Sequence, residues 1–90
     1  MSRIRIIVHG LVQGVGFRYH TCQQALALDL TGYVKNLPDG TVEIVADGPD
    51  DQLQQLITWS EQGPSTANVD RIEKEDLMSI NSFDTFTVEF

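Results

Sequence analysis

Residues 31–47 read TGYVKNLPDGTVEIVAD, and the turn in the middle of this stretch decides how the chain folds. Pro38-Asp39-Gly40 is a turn triplet, because proline presets φ and glycine accepts the conformations that close a tight turn. Thr31–Leu37 and Thr41–Asp47 flank it and form the arms of a β-hairpin. On the second arm Val42, Ile44 and Ala46 face one side, with Glu43 and Asp47 on the other.

Upstream of the hairpin, Ile4, Ile6 and Val8 alternate with Arg3, Arg5, Ile7 and His9, which predicts a strand over roughly residues 3–11 with one core face and one wetter face. Phe17 through Leu28 contains neither Pro nor Gly, and Phe17, Cys22, Ala25 and Leu26 make an apolar stripe at helical spacing. This helix should end near Leu28–Asp29, where aspartate tolerates the left-handed conformation common at helix ends. Downstream, Gly48-Pro49-Asp50-Asp51 is a helix start, with proline near the first turn and two carboxylates at the positive end of the dipole. Leu53, Leu56 and Ile57 form its stripe, and Gly63-Pro64 stops it. Val69–Asp76 reads as a charged, weakly alternating strand, and Phe86, Val88 and Phe90 alternate in a last one. The order strand, helix, hairpin, helix, strand, with an additional terminal strand, predicts one α+β domain over residues 1–90. It is a ferredoxin-like sandwich, an antiparallel sheet of four to five strands with two helices on one face. That architecture hosts enzymes, RNA binders and regulatory modules alike, so function has to be read from particular residues.

Composition narrows the classes. The 90 residues are 41% hydrophobic and 21% charged, which is globular and far from disordered or membrane extremes. The apolar run near the N-terminus is interrupted at His9 and Gly10, too short for a signal peptide or a membrane span, so the cytoplasm is the expected location. A single cysteine, Cys22, cannot close an intramolecular disulfide, and two histidines beside it show no metal-ligand spacing. The formal charge of −7, with six scattered basic residues, argues against a nucleic-acid partner. Any bound anion must be small and held locally.

Residues 12–18, VQGVGFR, suit such an anion. The dinucleotide fingerprint starts at Gly14 and Gly16 but fails at Tyr19, and no Walker Gly-Lys-Ser/Thr occurs. A cysteine-phosphatase loop fails too, because Leu28 stands where its arginine belongs. What remains is a strand, a glycine loop and an arginine in the first turn of a helix, where unpaired N–H groups gather with the positive dipole end. A cation is disfavoured there by the dipole, so Arg18 reads as functional rather than as an ordinary surface residue. Asn36, on the residues alone, reads equally as a turn residue before Pro38 and as a functional amide. His9 and His20 read as solvated, Cys22 as a small core residue, Lys35 as a solvated charge, and Trp59 with the terminal aromatics as packing.

GLVQGVGFR at 10–18 followed by TGYVKNLPDGTV at 31–42 resembles the acylphosphatases in residue type, order and spacing, and the element string agrees over essentially the whole chain. The resemblance implies hydrolysis of acyl phosphates to a carboxylate and inorganic phosphate, without metal or cofactor. It assigns phosphate binding to Arg18 with the loop residues Gln13, Gly14, Val15, Gly16 and Phe17, and water orientation to Asn36. Leu11 stands where the family commonly has a basic residue, and Leu37 where it often has a small polar one. The expected partners are a small-molecule acyl phosphate and inorganic phosphate, with no nucleic acid and no membrane, acted on by a monomer. Acylphosphatase-like domains also occur within larger maturation enzymes, so a weak or non-catalytic acyl- or carbamoyl-phosphate binding module is the second reading, disfavoured by the length of 90 residues. An RNA-binding or regulatory module on the same fold is opposed by the acidic charge.

Overall fold

The computed structural model describes residues 1–90. Its elements follow in the order β1 (Ser2–Leu11), α1 (Phe17–Ala27), β2 (Thr31–Asn36), β3 (Val42–Gly48), α2 (Asp50–Gln62), β4 (Asn68–Leu77) and β5 (Phe86–Glu89). The five strands form one sheet in the order β4-β1-β3-β2-β5. The hairpin closes as expected, with Leu37 and Thr41 bonded through Leu37 N–H to Thr41 C=O at 2.9 Å. The Asp39 carboxylate accepts both the amide N–H and the hydroxyl of Thr41 at 3.0 and 2.6 Å. Those two donors hold its pKa below the ordinary carboxylate range.

Both helices cover one face of the sheet, and between them lie Ile4, Ile6, Val8, Val34, Val42, Ile44 and Ala46 with Leu53 and Leu56 of α2. In α2 Ser60 completes the buried stripe, its hydroxyl donating to Leu56 C=O at 2.8 Å. The face of α1 differs from the hydropathy stripe. Phe17, Thr21 and Ala25, at a spacing of four, are the buried residues, Cys22 is half-buried, and Leu26 is exposed. The chain leaves this helix through Asp29 at φ 57°, the left-handed residue expected there.

Glu43 and Asp47 do face away from the helices, but they are not solvated: 8% and 9% of their surface is exposed. β3 is the central strand, so its outward side chains are flanked by neighbours on both sides. Arg3 Nε lies 2.5 Å from Asp47, Arg5 Nε lies 2.7 Å from Glu43, and Tyr33 Oη donates to Glu43 at 2.9 Å. Residues 78–85 cross this open face, where Phe83 stacks near Arg3 and Tyr33 and Asn81 C=O accepts from Arg3.

That crossing corrects one expectation. β1, β2, β3 and β4 pair antiparallel, but β5 runs parallel to β2, with Gly32 opposite Phe86 and Lys35 opposite Glu89. The sheet is therefore mixed. β4 finishes at the end of the sheet where β1 and β2 begin, so a chain crossing to the far edge must start β5 in their direction. As a result β1, β2 and β5 all finish at the same end, where α1 starts.

Candidate functional site

At that shared end lies a cavity of about 180 Å³ lined by Val12, Gly14, Gly16, Phe17, Arg18, Tyr19, Asn36, Val88 and Phe90. Two conformational demands shape its floor. Gly14 and Gly16 have φ 74° and 78°, values that cost a side-chain-bearing residue roughly 1 kcal/mol or more. Between β1 and α1 the loop turns twice within five residues, and Gly16 is the residue capping α1.

The turns leave donors free. None of the backbone N–H groups from Gly14 to Tyr19 donates to another backbone group. Those of the first helical turn have no intrahelical partner by geometry, and the loop places the preceding ones beside them. Six adjacent N–H groups at the positive end of a helix dipole form a concavity suited to an anion.

The candidate residues converge unequally. Arg18 and Asn36, eighteen positions apart, line the same cavity. Arg18 takes part in none of the ion pairs. Its Nη1 donates to Glu89 C=O at 3.3 Å, and its guanidinium carbon lies 4.7 Å from the centre of the Phe90 ring. Asn36 Oδ1 is buried without a hydrogen-bond partner. A buried acceptor left unpaired costs about 1–3 kcal/mol, so this oxygen is held at an energetic cost in a residue that lines the cavity. Phe17 lines the floor while its ring packs on Trp59 at 5.6 Å. Val15 is half-buried against the core, and its C=O accepts the Thr66 hydroxyl at 2.6 Å. Side chains at 15 and 17 thus anchor the loop, leaving only its backbone to face a ligand.

Gln13 is absent from the lining. Its Nε2 donates to Leu37 C=O at 2.8 Å and Thr41 C=O at 2.9 Å. This amide ties the glycine loop to the hairpin turn directly after Asn36, so it fixes the two halves of the cavity against each other. Glutamine at 13 carries no local signal of such a bond, because its partners are 24 and 28 residues away. Val88 and Phe90 were also hidden from sequence reading as cavity residues. Phe90, expected to alternate inward with Phe86 and Val88, is fully exposed.

Cys22 stands outside the cavity lining, with its Sγ 3.5 Å from Phe86 C=O. Burial pushes its thiol pKa up, which is the wrong direction for a nucleophile. No group of three His, Cys, Asp or Glu side chains is placed to hold a metal ion. No helix is long and apolar enough to cross a membrane.

Comparison with known proteins agrees with this geometry. The acylphosphatase family profile matches residues 4–88. An acylphosphatase of Caldivirga maquilingensis is 49% identical over 98% of this chain and 94% of its own length. One from Pasteurella multocida is 46% identical over the whole of both chains. The crystal structure of acylphosphatase from Bacillus subtilis superposes with a TM-score of 0.95 at 39% identity, again over the whole of both chains. A match of this extent, on a chain that brings the glycine loop, Arg18 and Asn36 to one cavity, means that the protein belongs to the acylphosphatase family.

Proposed function

We propose that the cavity hydrolyses the carboxyl–phosphate anhydride of an acyl phosphate by direct attack of water on phosphorus. The N–H groups of Gly14 to Arg18 and the Arg18 fork hold the phosphoryl oxygens, and Asn36 Oδ1 accepts a hydrogen from the attacking water. The observation that carries this reading is that Asn36, whose buried oxygen has no hydrogen-bond partner, lines the same cavity as Arg18. As the water oxygen bonds to phosphorus, the bond from phosphorus to the acyl oxygen breaks and the carboxylate leaves with the electron pair. The water's proton passes to the phosphate product or to solvent.

Such a leaving group is stable without protonation, so a general acid is dispensable. Positioning and charge stabilisation suffice, both supplied by neutral amides and one permanent cation. An amide at Asn36 also avoids setting a carboxylate against the phosphate. The reading includes a monomer acting in the cytoplasm on a small molecule, with no cofactor and no nucleic acid. The single free cysteine and the net charge of −7 support it. The test compares benzoyl phosphate with phenyl phosphate in the presence and absence of EDTA. Turnover of the anhydride alone, unchanged by chelator, is expected. Equal turnover of the monoester, or a loss in EDTA that zinc or magnesium reverses, would overturn the mechanism.

A further inference from the structure

We infer that Phe90 and Tyr19 form an apolar ledge that selects acyl phosphates with aromatic or bulky apolar acyl groups over small ones. The inference rests on the phosphoryl site proposed above and names its substrate class. A cavity of about 180 Å³ is below the ~300–1,000 Å³ that enclose a drug-sized ligand. It takes the phosphoryl group and the attacking water, so the acyl group must lie at its rim.

The rim is aromatic. Tyr19 is 59% exposed and Phe90 100% exposed, and both line this cavity. The remaining aromatics, Phe17, Tyr33, Trp59, Phe83 and Phe86, are buried or half-buried. Val12 and Val88 complete an apolar lining beside Arg18 and Asn36. Both rings are oriented by other contacts. Phe90 lies over the Arg18 guanidinium, while the Tyr19 ring meets His20 edge-on at 5.3 Å and its hydroxyl accepts from Gln23 Nε2 at 2.8 Å. A flat acyl group extending from a phosphate held at Arg18 therefore meets ring surface that solvent otherwise covers. Removing that surface from water, with an offset or edge-on ring contact, favours an aromatic substrate.

The experiment measures kcat/KM for benzoyl phosphate and for acetyl phosphate in the parent enzyme, Phe90→Ala and Tyr19→Ala, with inhibition by inorganic phosphate as a third reading. Both side chains are exposed, so folding is not at risk. The parent should prefer benzoyl phosphate, and each substitution should lower the benzoyl-to-acetyl ratio about 3- to 10-fold, the size of one aromatic contact. An unchanged ratio in both variants would overturn the ledge while leaving the phosphoryl site intact. Equal losses on both substrates together with weaker phosphate inhibition would also overturn it, since Phe90 would then act only by orienting Arg18. In this experiment, failure of the phosphoryl site itself would show as a parent enzyme that turns over neither compound.

Discussion

At the scale of single residues, Arg18 and Asn36 share a cavity but should fail in different ways. On the proposed mechanism Arg18 presents a charged fork to the phosphoryl group in both ground and transition states. Arg18→Ala should therefore weaken inhibition by inorganic phosphate and nearly abolish turnover. One charge-assisted hydrogen bond is worth ~1.5–3 kcal/mol, and the bidentate fork should exceed it. Arg18→Lys should recover little, because a point charge does not reproduce the planar fork. Asn36 is proposed to hold the water instead, so Asn36→Ala should depress kcat by orders of magnitude while phosphate inhibition stays near that of the parent. The same variant removes a buried acceptor that has no partner, so its urea midpoint should equal or exceed the parent's. Steady-state kinetics with product inhibition and a denaturation curve on each variant check all of this. The assignment is wrong if phosphate inhibition collapses in Asn36→Ala and survives in Arg18→Ala. It also fails if Asn36→Ala is markedly destabilised, which would make the asparagine a structural turn residue.

At the scale of elements, the open face of the sheet is held by polar side chains whose ionisation is coupled to pairing. Tyr33 on β2 has its pKa pushed up to about 12, first by burial, then by donating to Glu43 and by the charge of that carboxylate. The unfolded chain releases this proton near 10.0, so the folded state is favoured fully below pH 10 and loses that advantage between pH 10 and about 12. Two units would be worth at most ~2.7 kcal/mol, and the half-buried position of the ring makes the realised loss smaller. Urea unfolding of the parent and Tyr33→Phe at pH 9 and pH 11 should show the parent losing more stability. Equal losses would mean that the hydroxyl is already free in the folded state. The same face shows where sequence reading stops. The hairpin, the glycine loop and both helix ends were legible because prolines, glycines and aspartates act within a few residues of themselves. Burial of Glu43 and Asp47 was not, because it depends on β3 being central in the sheet. Thr21 replaced Leu26 on the buried face of α1 because helix placement, not hydropathy, chose the face. The direction of β5 and the staple from Gln13 were hidden for the same reason: each needs strand order, which no local pattern encodes.

At the scale of the whole molecule, a chain of net charge −7 binds a multiply charged anion, and the two facts oppose each other. Arg3, Arg5 and Arg71 are engaged by Asp47, Glu43, Glu75 and Glu73, and Arg18 is the cation that lines the cavity, so on the proposed mechanism it is the one that meets the anion at contact range. The rest of the molecule, 31 × 23 × 20 Å in extent, repels the substrate at longer range. Screening separates the two. The Debye length is ~30 Å at 10 mM salt and ~10 Å at 100 mM, so low salt exposes the whole charge and moderate salt only the cavity. Glu61 and Asp70 are exposed and make no ion pair, and replacing both with lysine moves the charge from −7 by two units each, to about −3. At ~20 Å in water each unit pair is worth about 0.2 kcal/mol. For a dianion and four units of change this sums to about 1.6 kcal/mol unscreened, roughly halved at 10 mM and nearly gone at 100 mM. The double variant should therefore exceed the parent in kcat/KM by about 4-fold at 10 mM and by under about 2-fold at 100 mM. Taking the ratio of variant to parent at each concentration cancels direct competition by the salt anion for Arg18. A ratio of one at 10 mM would show that the field at the cavity is set by Arg18 and the loop N–H groups alone, with the acidic surface electrically remote from the chemistry.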